Sequence, residues 1–249
     1  MCGYAFYSGR TLTFSEFQHT YMGSNIIERG GDGDNFVQIK NNCFMGHSLF
    51  HVTSSVPIFQ PIETSDGFLL FNGEIYNFED LKNKIGFPEL DSDTILLAKL
   101  IEKKGIRETI KLVYGALSIT YFDTVNNNLY LYRDTWGQKP LYYCLEHDQL
   151  IVASSFQFLD DLRNNQRTSD MNLLYKLLGF SPFGYTLNPY VKSVTPGHLI
   201  VIENSDAPKF KEKIFIEQKS YSHCKGIEDI LIKRLRENIP STKTAIAFS

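Results

Sequence analysis

The chain has 249 residues, 43% of them hydrophobic and 21% charged, with a net charge of −3. This is the composition of a globular protein, long enough for one large domain or one domain plus part of another. A weakly acidic balance without a basic stripe offers no grip to nucleic acid or to an anionic membrane, so neither is an expected partner. No apolar run approaches the roughly 18 residues of a membrane span, and no charged n-region with an apolar h-region marks a secretory signal. A cytoplasmic location is the expectation.

The chain opens Met1-Cys2-Gly3. Trimming of an initiator Met before a small residue would make Cys2 the N-terminus. A terminal cysteine carries a nucleophile and a base together, since an α-amine titrates at about 7.7–8.0 and a free thiol at about 8.5. The plain alternative is a residue that merely lies near a start codon. Gly3 to Tyr7 is apolar and aromatic, a buried first strand that would hold Cys2 at its end. Thr13-Phe14-Ser15-Glu16 reads as a capping box, with Leu12 and Phe17 as the hydrophobic staple. The expected helix covers about residues 14–28 and stops at Gly30-Gly31.

Residues 36–40 and 43–50 read as strands joined by Asn41-Asn42. The run 68–71, Asn72-Gly73 and 74–76 predict a hairpin with a type I′ turn. Asp91 and Ser92 cap a helix carrying Ile95, Leu96, Leu100 and Ile101, and a second helix covers about 106–113. Short strands at 117–122, 128–132, 141–144 and 150–153 predict a meander. Thr168-Ser169 caps a helix through Leu178, and 199–202 is another strand. From Glu203 to Lys213 the chain turns polar and reads as a surface connection or domain boundary. Ile227, Ile230, Leu231 and Leu235 form one helical stripe, and 244–249 has a buried-strand pattern.

Cys2, Cys43, Cys144 and Cys224 stand far apart with no C-x-x-C, so zinc and redox-pair readings lack support. Cys43 and Cys144 read as buried structural thiols. His47 and His51 are four apart in strand-like sequence, about 13 Å along one face, and no metal site is expected.

Several stretches in order carry a resemblance: Cys2-Gly3, Arg29-Gly30-Gly31-Asp32, Asn72-Gly73-Glu74-Ile75-Tyr76-Asn77, Ser92-Asp93-Thr94, Arg133-Asp134, the run Gly137-Gln138-Lys139-Pro140-Leu141-Tyr142-Tyr143, Ala153-Ser154-Ser155 and Pro196-Gly197-His198. Together, over residues 1 to about 203, they resemble the glutamine-dependent asparagine synthetases. The resemblance implies an α+β fold, a four-layer αββα sandwich of the N-terminal-nucleophile hydrolase type. It also implies a class II glutaminase: a thiolate attacks the side-chain amide of glutamine, ammonia leaves, and water cleaves the thioester. By resemblance Cys2 is the nucleophile, Asn72 and Gly73 supply the oxyanion donors, and Glu74 and Asp93 bind substrate. Arg29, Arg133 and Asp134 read as fold-supporting.

One position departs from the pattern. The family's His-x-Arg-Leu segment supplies an arginine for the substrate α-carboxylate, but the matching run is His47-Ser48-Leu49-Phe50. Either another group substitutes for Leu49, or the glutaminase is impaired, or the donor is not free glutamine. The resemblance divides the chain into a glutaminase domain, 1–203, and a linker with the short start of an α/β ATP-pyrophosphatase domain, 204–249. No cofactor is expected in this segment, whereas ATP and magnesium are implied for the intact protein. Glutamine and a C-terminal synthetase domain are the implied partners, and a homodimer is left open. Two rival readings remain: amidation of a sugar acid or peptide acid instead of aspartate, and a degenerate non-catalytic scaffold.

Overall fold

A computed structural model describes residues 1–216 apart from 53, 147, 163–172, 175–176, 180, 181, 183 and 205–207. The strands are β1 (Gly3–Gly9), β2 (Asp34–Lys40), β3 (Cys43–Ser48), β4 (Ile62–Thr64), β5 (Gly67–Ile75), β6 (Gly115–Asp123), β7 (Asn128–Arg133), β8 (Tyr142–Leu145), β9 (Gln149–Ala153), β10 (Lys192–Ser193), β11 (His198–Glu203) and β12 (Lys209–Phe215). The helices are α1 (Phe14–Met22), α2 (Phe78–Ile85), α3 (Asp93–Leu112) and α4 (Phe156–Leu162), with a 3-10 turn at Ile27–Arg29.

Among the described residues the strands form two six-stranded sheets. The nucleophile sheet has the order β10-β8-β9-β1-β3-β2, and the second sheet has β12-β11-β7-β6-β5-β4. Every pairing is antiparallel. Side chains alternate across a strand, so one sequence feeds two layers. Tyr4 and Phe6 of β1 join Met45, Leu70, Phe122, Leu131, Val152 and Ile200 in the core between the sheets. Ala5 and Tyr7 face the other way and pack with Phe17 and Tyr21 of α1 and Phe158 of α4. On the far side Leu69, Phe71, Leu117 and Ile119 meet Leu81 of α2 and Leu96, Leu100 and Ile110 of α3. The result is the expected αββα sandwich. Among the described residues no helix is long and apolar enough to cross a membrane.

The capping box forms as expected: Glu16 N–H donates to Thr13 Oγ1 at 3.3 Å and Thr13 N–H to Glu16 Oε2 at 2.7 Å. α1 stops earlier than expected, at Gly23, whose N–H reaches back to His19. The hairpin expected at Asn72-Gly73 is not there. β5 runs through both residues without turning and pairs with β6 along its whole length. The expected meander is divided, with β6 and β7 in one sheet and β8 and β9 in the other. The two helices expected across 91–113 are there, separated within α3 by a break at Gly105, whose backbone is non-helical at φ +74°. The polar stretch after Glu203 contains β12, an edge strand on β11. The helix expected to start at Thr168, the apolar stripe at 227–235 and the strand at 244–249 lie outside the described residues or largely so.

His47 is fully buried opposite Tyr4, and neither ring nitrogen has a hydrogen-bond partner among the described residues. Burial depresses its pKa from 6.5 to about 3. Because the folded value lies below the unfolded one, the unfolded chain takes up the proton first. Stability is therefore full above about 6.5 and declines as pH falls toward about 3. Denaturant melts should show about 2 kcal/mol less stability at pH 5 than at pH 7 from this group, and His47→Leu should remove that difference. An unchanged pH slope in the variant would assign the effect elsewhere.

Candidate active site

The first residues are tied down on all sides. Tyr4 N–H donates to Ser154 Oγ at 3.0 Å, and Tyr21 OH donates to the Gly3 carbonyl at 3.0 Å. Arg29 Nε donates to the Cys2 carbonyl at 3.3 Å, which is the fold-supporting role expected of it. A Cβ on Gly3 would lie 2.2 Å from the Ile26 carbonyl oxygen, so only glycine lets β1 pass so close. Cys2 thus sits at the fixed end of a strand buried on both faces.

Its sulfur accepts from Phe50 N–H at 3.4 Å. Burial pushes the Cys2 thiol up, opposed first by that N–H and then by the positive charges of the terminal amine, Arg29 and Lys139. Phe50 is positioned through its neighbour. Leu49 N–H donates to Gly33 O at 2.8 Å, and Leu49 O accepts from Gly31 N–H and Asp32 N–H at 2.9 and 3.1 Å. The Arg29–Asp32 turn therefore fixes the segment that faces the sulfur.

Cys2 opens onto a cleft of about 280 Å³. Leu49, Asn72, Gly73, Glu74, Asp93 and Lys139 line it, so every site residue expected from sequence reaches one cavity. Asn72 lies on the same face of β5 as Leu70, which belongs to the inter-sheet core. It is 2% exposed, yet its Nδ2 has no hydrogen-bond partner among the described residues. A buried amide donor left unpaired is destabilising by about 1–3 kcal/mol, which marks a donor held for something else.

The Gly73 N–H follows from the register. Leu117, its partner on β6, turns both its backbone groups away: Leu117 N–H donates to Asp134 Oδ2 at 3.2 Å and Leu117 O accepts from Asp134 N–H at 2.9 Å. Gly73 thus stands in a non-hydrogen-bonded pair, and its N–H points to the opposite edge of β5. Phe71 N–H and Ile75 N–H emerge at that same edge, and each is capped by a side chain. Phe71 donates to Gln60 Oε1 at 2.6 Å and Ile75 to Asp93 Oδ2 at 2.9 Å. The Gly73 N–H between them faces the cleft. Glycine is required here as well, since a Cβ would come within 2.2 Å of Ala116 O.

Asp93 is the first residue of α3, behind the N-cap Ser92, whose Oγ accepts from Ile95 N–H at 3.4 Å. Its carboxylate lies at the positive end of the helix and accepts from Ile75 N–H. Asp134 and Arg133 build the loop after β7. The Asp134 carboxylate accepts from the N–H groups of Leu117, Trp136, Gln138 and Lys139 at 3.0–3.2 Å. Arg133 donates to Gly137 O and Lys139 O at 2.6 and 2.7 Å. Both are structural, as expected, and their consequence is the placement of Lys139 on the cleft.

Lys139 and Gln60 also line the cleft, and the sequence does not mark either as a site residue. Lys139 lies in the Gly137–Tyr143 run, but nothing local distinguishes its side chain from those of its neighbours. Gln60 carries no sequence signal beyond the adjacent Pro61.

A family model described as "Glutamine amidotransferase domain" matches residues 1–213. Among curated relatives, an asparagine synthetase [glutamine-hydrolyzing] from Gallus gallus is 28% identical over 205 residues, covering 79% of this chain and 33% of its own length. Asparagine synthetase [glutamine-hydrolyzing] 1 from Bacillus subtilis is 29% identical over 226 residues, covering 88% of this chain and 35% of the relative. The chain spans about a third of the length of these relatives. Among solved structures, the glutamine phosphoribosylpyrophosphate amidotransferase from B. subtilis, complexed with ADP and GMP, superposes with a TM-score of 0.57 at 18% identity. That match covers 85% of this chain and 49% of the other, and shows a shared fold.

Proposed function

Because this chain belongs to the glutamine amidotransferase domain family, we propose that it hydrolyses the side-chain amide of glutamine at Cys2. The observation that carries the reading is the convergence on one cleft of the Cys2 sulfur, the unpaired Asn72 amide and the outward Gly73 N–H. After loss of Met1, the α-amine of Cys2 accepts the thiol proton as sulfur bonds to the amide carbon. The carbonyl electron pair moves to oxygen, where Asn72 Nδ2 and Gly73 N–H stabilise the charge. Collapse breaks the carbon–nitrogen bond, and ammonia leaves with the proton held by the amine. Water then attacks the thioester, releasing glutamate and restoring the thiol. Asp93 and Glu74 supply the negative charge that suits the α-ammonium of the substrate.

In this reading the ammonia feeds amidation of a carboxylate, as in the asparagine synthetases, within a synthetase half beyond this domain that would use ATP and magnesium. The proposed location is the cytoplasm. Glutamate release from glutamine, together with mass-spectrometric detection of a single adduct on Cys2 after exposure to a glutamine-like electrophile, tests the reading. Release without modification of Cys2, or neither result, would sink it.

Leu49 bears on affinity. It is 5% exposed and lines the cleft. Hydrogen bonds to a charged group contribute about 1.5–3 kcal/mol. Leu49→Arg is therefore expected to lower KM for glutamine about tenfold or more, with kcat little changed, since a binding contact acts mainly on KM. Micromolar KM in the unaltered chain would show that another group already holds the carboxylate.

A further inference from the structure

The edge of β5 raises a question of its own. β4 accompanies β5 only as far as the pair Ile62–Leu69. Two residues further along, Phe71 turns its N–H and C=O outward, and no strand among the described residues receives them. The side chain of Gln60 takes both: Phe71 N–H donates to Oε1 at 2.6 Å and Nε2 donates to Phe71 O at 2.9 Å. Gln60 is 2% exposed, so this clasp is shielded from water. It imitates one rung of a ladder. A strand continuing in its place would run on to cover the Gly73 N–H, whereas a side chain ends one rung short.

Gln60 also reaches the other sheet. Its backbone carbonyl accepts from Asn35 Nδ2 at 3.1 Å, and Asn35 belongs to β2. β2 pairs with β3, and β3 with β1, the strand that Cys2 immediately precedes. One residue therefore links the nucleophile sheet to the position immediately before Asn72. We infer that Gln60 is a positioning residue, which holds Asn72 and Gly73 in place against Cys2 and keeps the edge beside them open to substrate.

The inference rests on the glutaminase reading, and the experiment separates the two. Gln60→Met keeps the side-chain length and removes both bonds to Phe71. Small displacements of reacting groups lower rates by about 100-fold, so kcat for glutamine should fall about 10- to 100-fold, with KM within about threefold. Alkylation of Cys2 by iodoacetamide, which needs no oxyanion donors, should keep its rate within about twofold. Gln60→Glu retains the acceptor for Phe71 N–H and should fall between the two; it carries the same test if Gln60→Met does not fold. Asn35→Ala, which cuts the link to the other sheet and leaves the clasp, should lose about 3- to 10-fold in kcat. Unchanged kcat in the Gln60 variants, or kcat and alkylation rate falling together, would overturn the positioning role. An unaltered chain that neither releases glutamate nor labels at Cys2 would instead overturn the glutaminase reading, and the inference with it.

Discussion

Cys2→Ala should leave no measurable glutaminase, a loss of at least about 10⁴-fold in kcat, because removing a nucleophile costs as much as removing the whole catalytic group. The fold should survive, since β1 is anchored by Tyr4, Tyr21 and Ser154 and not by the sulfur. An uncleavable residue in front of Cys2 should be nearly as damaging, because acylation takes away the amine that receives the thiol proton. The electrostatics sharpen the expectation. In the chain bearing Met1, burial raises the Cys2 pKa despite the nearby amine, Arg29 and Lys139. Less thiolate is then present at neutral pH, and the rate of Cys2 alkylation should climb with an inflection above that of a free thiol. Full glutamine hydrolysis by a protein with a blocked N-terminus would exclude the amine as base.

Asn72 and Gly73 should respond in different ways, although both are assigned to the oxyanion. Asn72→Ala should reduce kcat about 10²- to 10³-fold, the usual loss for one oxyanion donor. Its melting temperature should hold or rise, since the variant removes a buried donor that has no partner among the described residues. Gly73→Ala should lose both activity and stability, because its Cβ would press on Ala116 O from 2.2 Å away. Forcing a methyl group into a packed site destabilises by about 1–3 kcal/mol. Paired thermal melts and steady-state kinetics check this. A destabilised but active Asn72→Ala would place the amide in the fold instead of the chemistry.

Local sequence signals served well where structure is local. The Thr13–Glu16 box, the Asn41-Asn42 turn and the Ser92 cap each act within a few residues, and each is where its pattern put it. Asn72-Gly73 shows the limit. The dipeptide is a strong turn signal, but β6 runs beside it and its glycine is there for close approach. Only the family resemblance gave those two residues a chemical role. Alternation marked β6 to β9 as strands and could not say that they divide between two sheets, because period two reports a face and not a neighbour. Gln60 was illegible for a related reason. Its bonds to Phe71 span eleven positions, and the residues around it carry no record of them.

The cleft belongs to neither sheet. Cys2 immediately precedes β1 of one, and Asn72 with Gly73 come from β5 of the other. What separates them is the filling of Tyr4, Phe6, Leu70, Phe122 and their neighbours. The thickness of that filling is thus a ruler for the reaction, since a thicker or thinner layer would move sulfur and donors relative to each other. Side chains that never meet a substrate therefore calibrate the distance over which the chemistry happens, and their volume is under the same constraint as the site itself.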